Sequence, residues 1–124
     1  YSIIYKLPGV ARFPINNLVY FFLVITVIPL IETIIFQHSV IFGLSNTVYF
    51  KNKKFHIIII SAALFGLSHL PGIAKILSAF SVGIVFAYVY IDLDTIDKHP
   101  ILYVTIIHGL HNLIAAGLTY FFVV

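Results

Sequence analysis

Long apolar runs alternate with short polar breaks along this chain. The first run, Ile15 to Gly43, holds 29 residues without Lys or Arg. As a helix it would reach ~44 Å, against a bilayer hydrocarbon core of about 30 Å. The pattern predicts a helix that tilts, starts at the interface or bends. Pro29 supplies a bend, because proline lacks an N–H and clashes one turn back. A mixed stretch, Ser45 to Phe50, leads to the basic cluster Lys51-Asn52-Lys53-Lys54. The second run, Phe55 to Leu70, is closed by Pro71-Gly72. The third is Ile73 to Ile91, and the polar loop Asp92 to Pro100 separates it from the last, Ile101 to Phe122.

These runs predict an all-α integral membrane protein, a bundle of about four transmembrane helices. A hairpin over residues 15–50, turning at Pro29, would make five. Residues 1–14, with Pro8, Gly9, Arg12 and Pro14, read as an interfacial lead-in, and residues 15–124 as a single membrane-embedded core. With Tyr first and no Met anywhere, the chain could be part of a longer protein.

Composition agrees with the pattern. Of 124 residues, 61% are hydrophobic and 9% charged, where a soluble domain carries about 25% charged residues. The net charge of +3 comes from a few basic residues at segment edges, which orient a membrane protein and do not point to nucleic acid. By the same rule the Lys51–Lys54 cluster is cytosolic, together with the Asp92–Pro100 loop, and the Pro71-Gly72 turn lies opposite. The absence of Cys excludes disulfides and thiolate metal sites. Lys6 and Arg12 are followed by no small-residue cleavage pattern, so no signal peptide is read.

One residue does not belong in such a sequence. Three of the four acidic residues, Asp92, Asp94 and Asp97, share one loop; the fourth, Glu32, lies inside the first apolar run. A carboxylate at that depth costs about 2.5 kcal/mol or more on insertion scales, so it calls for a partner, a proton or a metal. Candidates at similar depth are His69, His108 and Asn112, each on another predicted element than Glu32. His108 and Asn112 are four apart and share a helix face, which His111 borders. Phe65 and His69 are also four apart. Glu with two His is a donor set that zinc or another divalent metal accepts. Without metal it can run general acid–base chemistry, and the Asn amide can donate to an oxyanion. Taken singly, Ser68, Thr105, Asn112 and each His read better as hydrogen-bonding glue between helices. Glu32 resists that reading, although His38, six residues on, competes as its partner. His56 and His99 lie at loop ends and read as interfacial.

The stretches Glu32-Thr33-Ile34-Ile35-Phe36-Gln37, Phe65-Gly66-Leu67-Ser68-His69 and His108-Gly109-Leu110-His111-Asn112 resemble the three motifs of the CPBP family. These are intramembrane endopeptidases that include the CAAX prenyl proteases and the bacteriocin-immunity (Abi) proteins. The family pattern is Glu-Glu-x-x-x-Arg, then Phe-x-x-x-His, then His-x-x-x-Asn or Asp, and the resemblance covers roughly residues 20–122. It implies an all-α core in the cell membrane with a site opening towards the cytosol. Glu32 and His69 would activate the attacking water, and His108 and Asn112 would complete the site and stabilise the oxyanion. The family is described both as metalloprotease and as metal-independent glutamate protease. If a metal is used, Glu32, His69 and His108 would hold it. The chain departs from the pattern twice: the second Glu is Thr33 and the Arg is Gln37.

Three functions follow as expectations. The first is an endopeptidase cutting a peptide or membrane protein near the bilayer, in bacteriocin self-immunity or membrane-protein processing. Its substrate could be prenylated, although no residue here encodes prenyl specificity. The second is a non-catalytic immunity or binding protein that keeps the family fold. The third is a proton or ion relay, which lacks the paired broken helices of transporters.

Overall fold

In a computed structural model, residues 15–123 are described, with side chains described over 18–118. The lead-in expected over residues 1–14 lies outside the described residues. The described residues form helices joined by short turns: α1 (Ile15–Ile25), α2 (Val27–Glu32), a π-helical segment (Thr33–Ser39), α3 (Val40–Ser45), α4 (Lys54–Leu67), α5 (Ile73–Thr95) and α6 (Pro100–Val123). Residues Leu18–Ser45 form one apolar rod of 28 residues, so the five-span hairpin is not formed. That rod, α5 and α6 are long and apolar enough to cross a membrane, and α4 is a shorter apolar helix. The protein is an integral membrane protein. Large side chains such as Phe22, Phe42, Leu77 and Leu102 are exposed on its outer surface, as lipid contact requires.

The bend in the first rod does not sit at Pro29. It falls three residues earlier, at Thr26, whose backbone leaves the helical region at φ −126° and ψ −71°. The reason is the missing donor: Pro29 has no N–H to offer the carbonyl one turn back, which is that of Ile25. That carbonyl lies instead against α6, where a Cβ built on Gly109 would collide with its oxygen. Beyond Glu32 the rod widens into the π-helical turns, a feature found mostly as single turns and often at functional sites. Ser61 of α4 supports the widened turn by donating to the Phe36 carbonyl at 2.6 Å.

α4 and α5 pack through a line of small residues. Gly66 on one helix lies against Ile76 and Phe80 on the other, and Gly83 lies against Ala62; Ala79 and Ala87 beside them are buried. Without a hydrophobic drive between helices in lipid, such close approach is what holds them. It is tight at Gly83, where an added Cβ would come 3.0 Å from the Phe65 ring and 3.1 Å from Ala62 Cα. At the far end Lys54 Nζ binds Asp92 Oδ1 at 3.2 Å, so the basic cluster and the acidic residues share one end of the bundle. Two expected boundaries move. α5 continues to Thr95, so Asp92 and Asp94 are helical. α4 stops at Leu67, so His69 lies in the turn beyond the helix.

Candidate active site

The centre of the bundle is aromatic, and it carries the histidines. Phe65 on α4 meets His69 edge-on at 4.9 Å between ring centroids and His108 at 5.4 Å. Phe86 on α5 lies against His108 at 4.6 Å. Phe36, from the π-helical segment, closes the other side of Phe65 at 5.7 Å. Both imidazoles are therefore fixed against one phenyl group, which three elements hold in place.

Glu32 enters from the first rod. Its Oε1 stands 3.7 Å from Nε2 of His108. That exceeds a hydrogen bond, yet one water can touch both atoms. His108 is nearly closed off, with 3% of its side-chain surface exposed, whereas Glu32 keeps 21%. The carboxylate is thus at the rim of the pair and the imidazole behind it. His69 joins this pair through Phe65, whose ring it shares with His108.

The turn after α4 sets the state of His69. Its backbone N–H bonds Gly66 at 3.0 Å and that of Leu70 bonds Leu67 at 3.2 Å, tightening the helix end. Ser68 donates its hydroxyl to the Phe65 carbonyl at 2.6 Å. His69 Nδ1 lies 2.9 Å from the same carbonyl. A carbonyl only accepts, so Nδ1 carries the hydrogen and Nε2 keeps its lone pair. The imidazole is held as a base or ligand through Nε2.

Asn112 does not spend its bonded N–H on Glu32. Its Nδ2 donates to the Val24 carbonyl at 2.9 Å, one residue before the carbonyl that Pro29 leaves free. Gly109, one turn earlier on α6, lets the two backbones approach. An amide carries two N–H groups, so one donor remains beyond this bond. His38 does not reach Glu32 either: its Nδ1 pairs with the Tyr90 hydroxyl at 2.5 Å, with Phe42 stacked on the ring. His56 and His99 are exposed, as expected of loop-end residues.

The donors do not form a metal shell as arranged. Among the described residues no three His, Cys, Asp or Glu side chains stand together as a metal-holding group.

Sequence reasoning missed Ser61, Phe86 and Gly109. The glycine had a signal, since Gly inside an apolar helix often marks close approach of another backbone. Ser61 and Phe86 had none beyond their place in apolar helices.

With three motif regions meeting in one core, comparison with known proteins decides the family. The type II CAAX prenyl endopeptidase Rce1-like family matches residues 14–114. The chain belongs to this family. No curated protein and no solved structure matches it. Across the Rce1-like span, the two departures from the motif pattern are both buried: Thr33 and Gln37 have 0% exposure. They lie four apart on the segment that follows Glu32, facing the core.

Proposed function

We propose that this Rce1-like protein is an intramembrane endopeptidase in which Glu32 and His69 activate water against a peptide bond. The water attacks the scissile carbonyl carbon and gives up its proton to the Glu32 carboxylate, with the Nε2 lone pair of His69 as second acceptor. The carbonyl oxygen becomes an oxyanion, for which His108 and the remaining N–H of Asn112 are the donors. The tetrahedral intermediate collapses as the stored proton passes to the leaving nitrogen, giving a carboxylate and an amine. The observation that carries this reading is the Glu32–His108 pair at 3.7 Å, inside a chain of the Rce1-like family. The substrate is a peptide at the membrane.

The test uses purified protein in lipid vesicles with prenylated and unprenylated forms of one peptide, in the presence and absence of a chelator. Cleavage that is lost in Glu32→Gln supports the reading. Loss in chelator, restored by Zn2+, would mean that Glu32, His69 and His108 rearrange around a metal.

A second reading rests on Thr33 and Gln37. The replacement of two of the three charged residues of the first motif favours a non-catalytic membrane binder, the form an immunity protein would take. Absence of cleavage by the unaltered chain, with full cellular function of Glu32→Gln, supports that reading instead.

A further inference from the structure

Among the described residues, five buried side-chain atoms have no hydrogen-bonding protein group: Thr33 Oγ1, Gln37 Nε2 and Oε1, Thr105 Oγ1 and His108 Nδ1. They come from two elements only, the π-helical segment and α6, which pack together. The register between the rod and α6 is fixed at three places: Val24 to Asn112, Ile25 to Gly109 and Glu32 to His108. Rising numbers on the rod meet falling numbers on α6, so the two run antiparallel. Residues after Glu32 therefore face residues before His108, which puts Thr33 and Gln37 on the same seam as Thr105. Four polar side chains in an apolar core would each carry an uncompensated desolvation cost if left dry.

We propose that Thr33, Gln37 and Thr105 hold a buried water cluster that hydrogen-bonds Nδ1 of His108 and fixes which ring nitrogen faces Glu32. The donor count supports it. A carboxylate accepts, so Nε2 of His108 suits Glu32 best when it carries the hydrogen. Nδ1 is then an acceptor and needs a donor. Water supplies one, and buried waters typically make about three hydrogen bonds to groups of this kind. Gln37 offers two N–H groups and an acceptor, and each threonine offers one hydroxyl. Gln37 and Thr105 are thus positioning residues that act through His108. The widened π-helical turn gives Thr33 and Gln37 their place, because it brings both side chains into the core directly after Glu32. This deepens the reading of the site given above, but its first readout needs no turnover.

The experiment is 15N NMR of histidine-labelled full chain in lipid nanodiscs, with the His108 signals identified by their loss in His108→Gln, and Tm measured beside it. The unaltered protein should show His108 with hydrogen on Nε2, and exchange between its ring region and water. Thr105→Val should shift the His108 ring-nitrogen signals and lower Tm by about 3 °C or more. Thr105→Ser, which restores a hydroxyl, should recover both. Gln37→Leu should act in the same direction, and combined with Thr105→Val it should cost less than the sum of the two, because both remove the same waters. If peptide cleavage is measurable, Thr105→Val should lower kcat and leave KM unchanged. An unshifted His108 signal in Thr105→Val, or a Tm equal to or above that of the unaltered protein, overturns the proposal. If Gln37→Leu fails to accumulate, the Thr105→Val and Thr105→Ser pair decides alone. A chain that cleaves nothing yet shows these shifts keeps this inference and loses the proposed function.

Discussion

Nε2 of His108 faces Oε1 of Glu32 at 3.7 Å, with the imidazole buried and the carboxylate at the rim. An amide at position 32 would keep the shape of the pair and lose the base. Glu32→Gln is therefore expected to reduce peptide cleavage to background while membrane abundance and helix content stay normal. Cleavage in vesicles, read beside an immunoblot and circular dichroism, checks it. Full cleavage by the variant at normal abundance would remove Glu32 from the chemistry.

Asn112 separates two kinds of loss. Its amide donates to Val24 at 2.9 Å across the bend of the first rod. Asn112→Ala should thus destabilise the bundle by about 1–3 kcal/mol, the usual cost of stranding a buried polar partner. If its second N–H also serves an oxyanion, kcat should fall by a further factor equivalent to about 2.7–4 kcal/mol. Denaturation in detergent measures the first effect, and kcat corrected for folded protein measures the second. A stable Asn112→Ala would disprove the helix-bridging role.

Gly109 tests the close approach at the same bend. A Cβ there collides with the Ile25 carbonyl oxygen, whereas Gly117, further along α6, has nothing within 4 Å of an added Cβ. Gly109→Ala is expected to cost about 1–3 kcal/mol through overpacking, while Gly117→Ala should be neutral or slightly stabilising, since alanine is the better helix former. Thermal unfolding of the two variants side by side decides the matter. Equal Tm values would mean that α6 can move away from Ile25 at no cost.

Much of this fold was legible because lipid makes sequence pattern strict. The four apolar runs became the four helical rods, and their breaks fell within a few residues of those expected. Glu32 stood out in the sequence because a carboxylate inside an apolar run is too costly to persist without a chemical task or a partner, and in the fold it faces His108 at 3.7 Å. Three things were not. The bend moved from Pro29 to Thr26 because proline disturbs the carbonyl one turn earlier, not its own position. The π-helical turn depends on Ser61 of another helix reaching the Phe36 carbonyl, a long-range bond that no local pattern announces. Asn112 and His38 sit at helical positions compatible with a partnership with Glu32. Register against Val24 and Tyr90, set by packing, gives one N–H of Asn112 and Nδ1 of His38 other partners.

Topology is open to a direct test. The Lys54–Asp92 ion pair at 3.2 Å joins the ends of α4 and α5, so Asn52 and Asp94 must lie on one side of the membrane. The lack of native Cys makes single-cysteine labelling clean. Asn52→Cys and Asp94→Cys should both be shielded from an impermeant reagent applied outside intact cells and both react after lysis. Labelling of only one in intact cells would contradict the bundle. Labelling of both would invert the cytosolic orientation and leave the bundle unchanged.

The last prediction concerns the two positions at which the first motif is neutral. Thr33 and Gln37 are fully buried and four apart, so their side chains share one face of the segment after Glu32. A single charge placed there has no counter-ion built for it. Thr33→Glu alone, or Gln37→Arg alone, should each lower membrane abundance, since an unpaired ionic side chain within the bilayer costs about 2.5–3.5 kcal/mol on insertion scales. Made together, they place opposite charges within side-chain reach, and each becomes the other's counter-ion. The double variant should accumulate better than either single one, and the non-additivity in a double-mutant cycle measures the pairing. Cleavage by the double variant then separates two histories of the site. Higher kcat than the unaltered chain would mean that the neutral pair weakens an enzyme whose first motif works best charged. Normal abundance with no gain in cleavage would mean that the charged pair serves structure, and that Thr33 and Gln37 replace it with hydrogen bonding of their own.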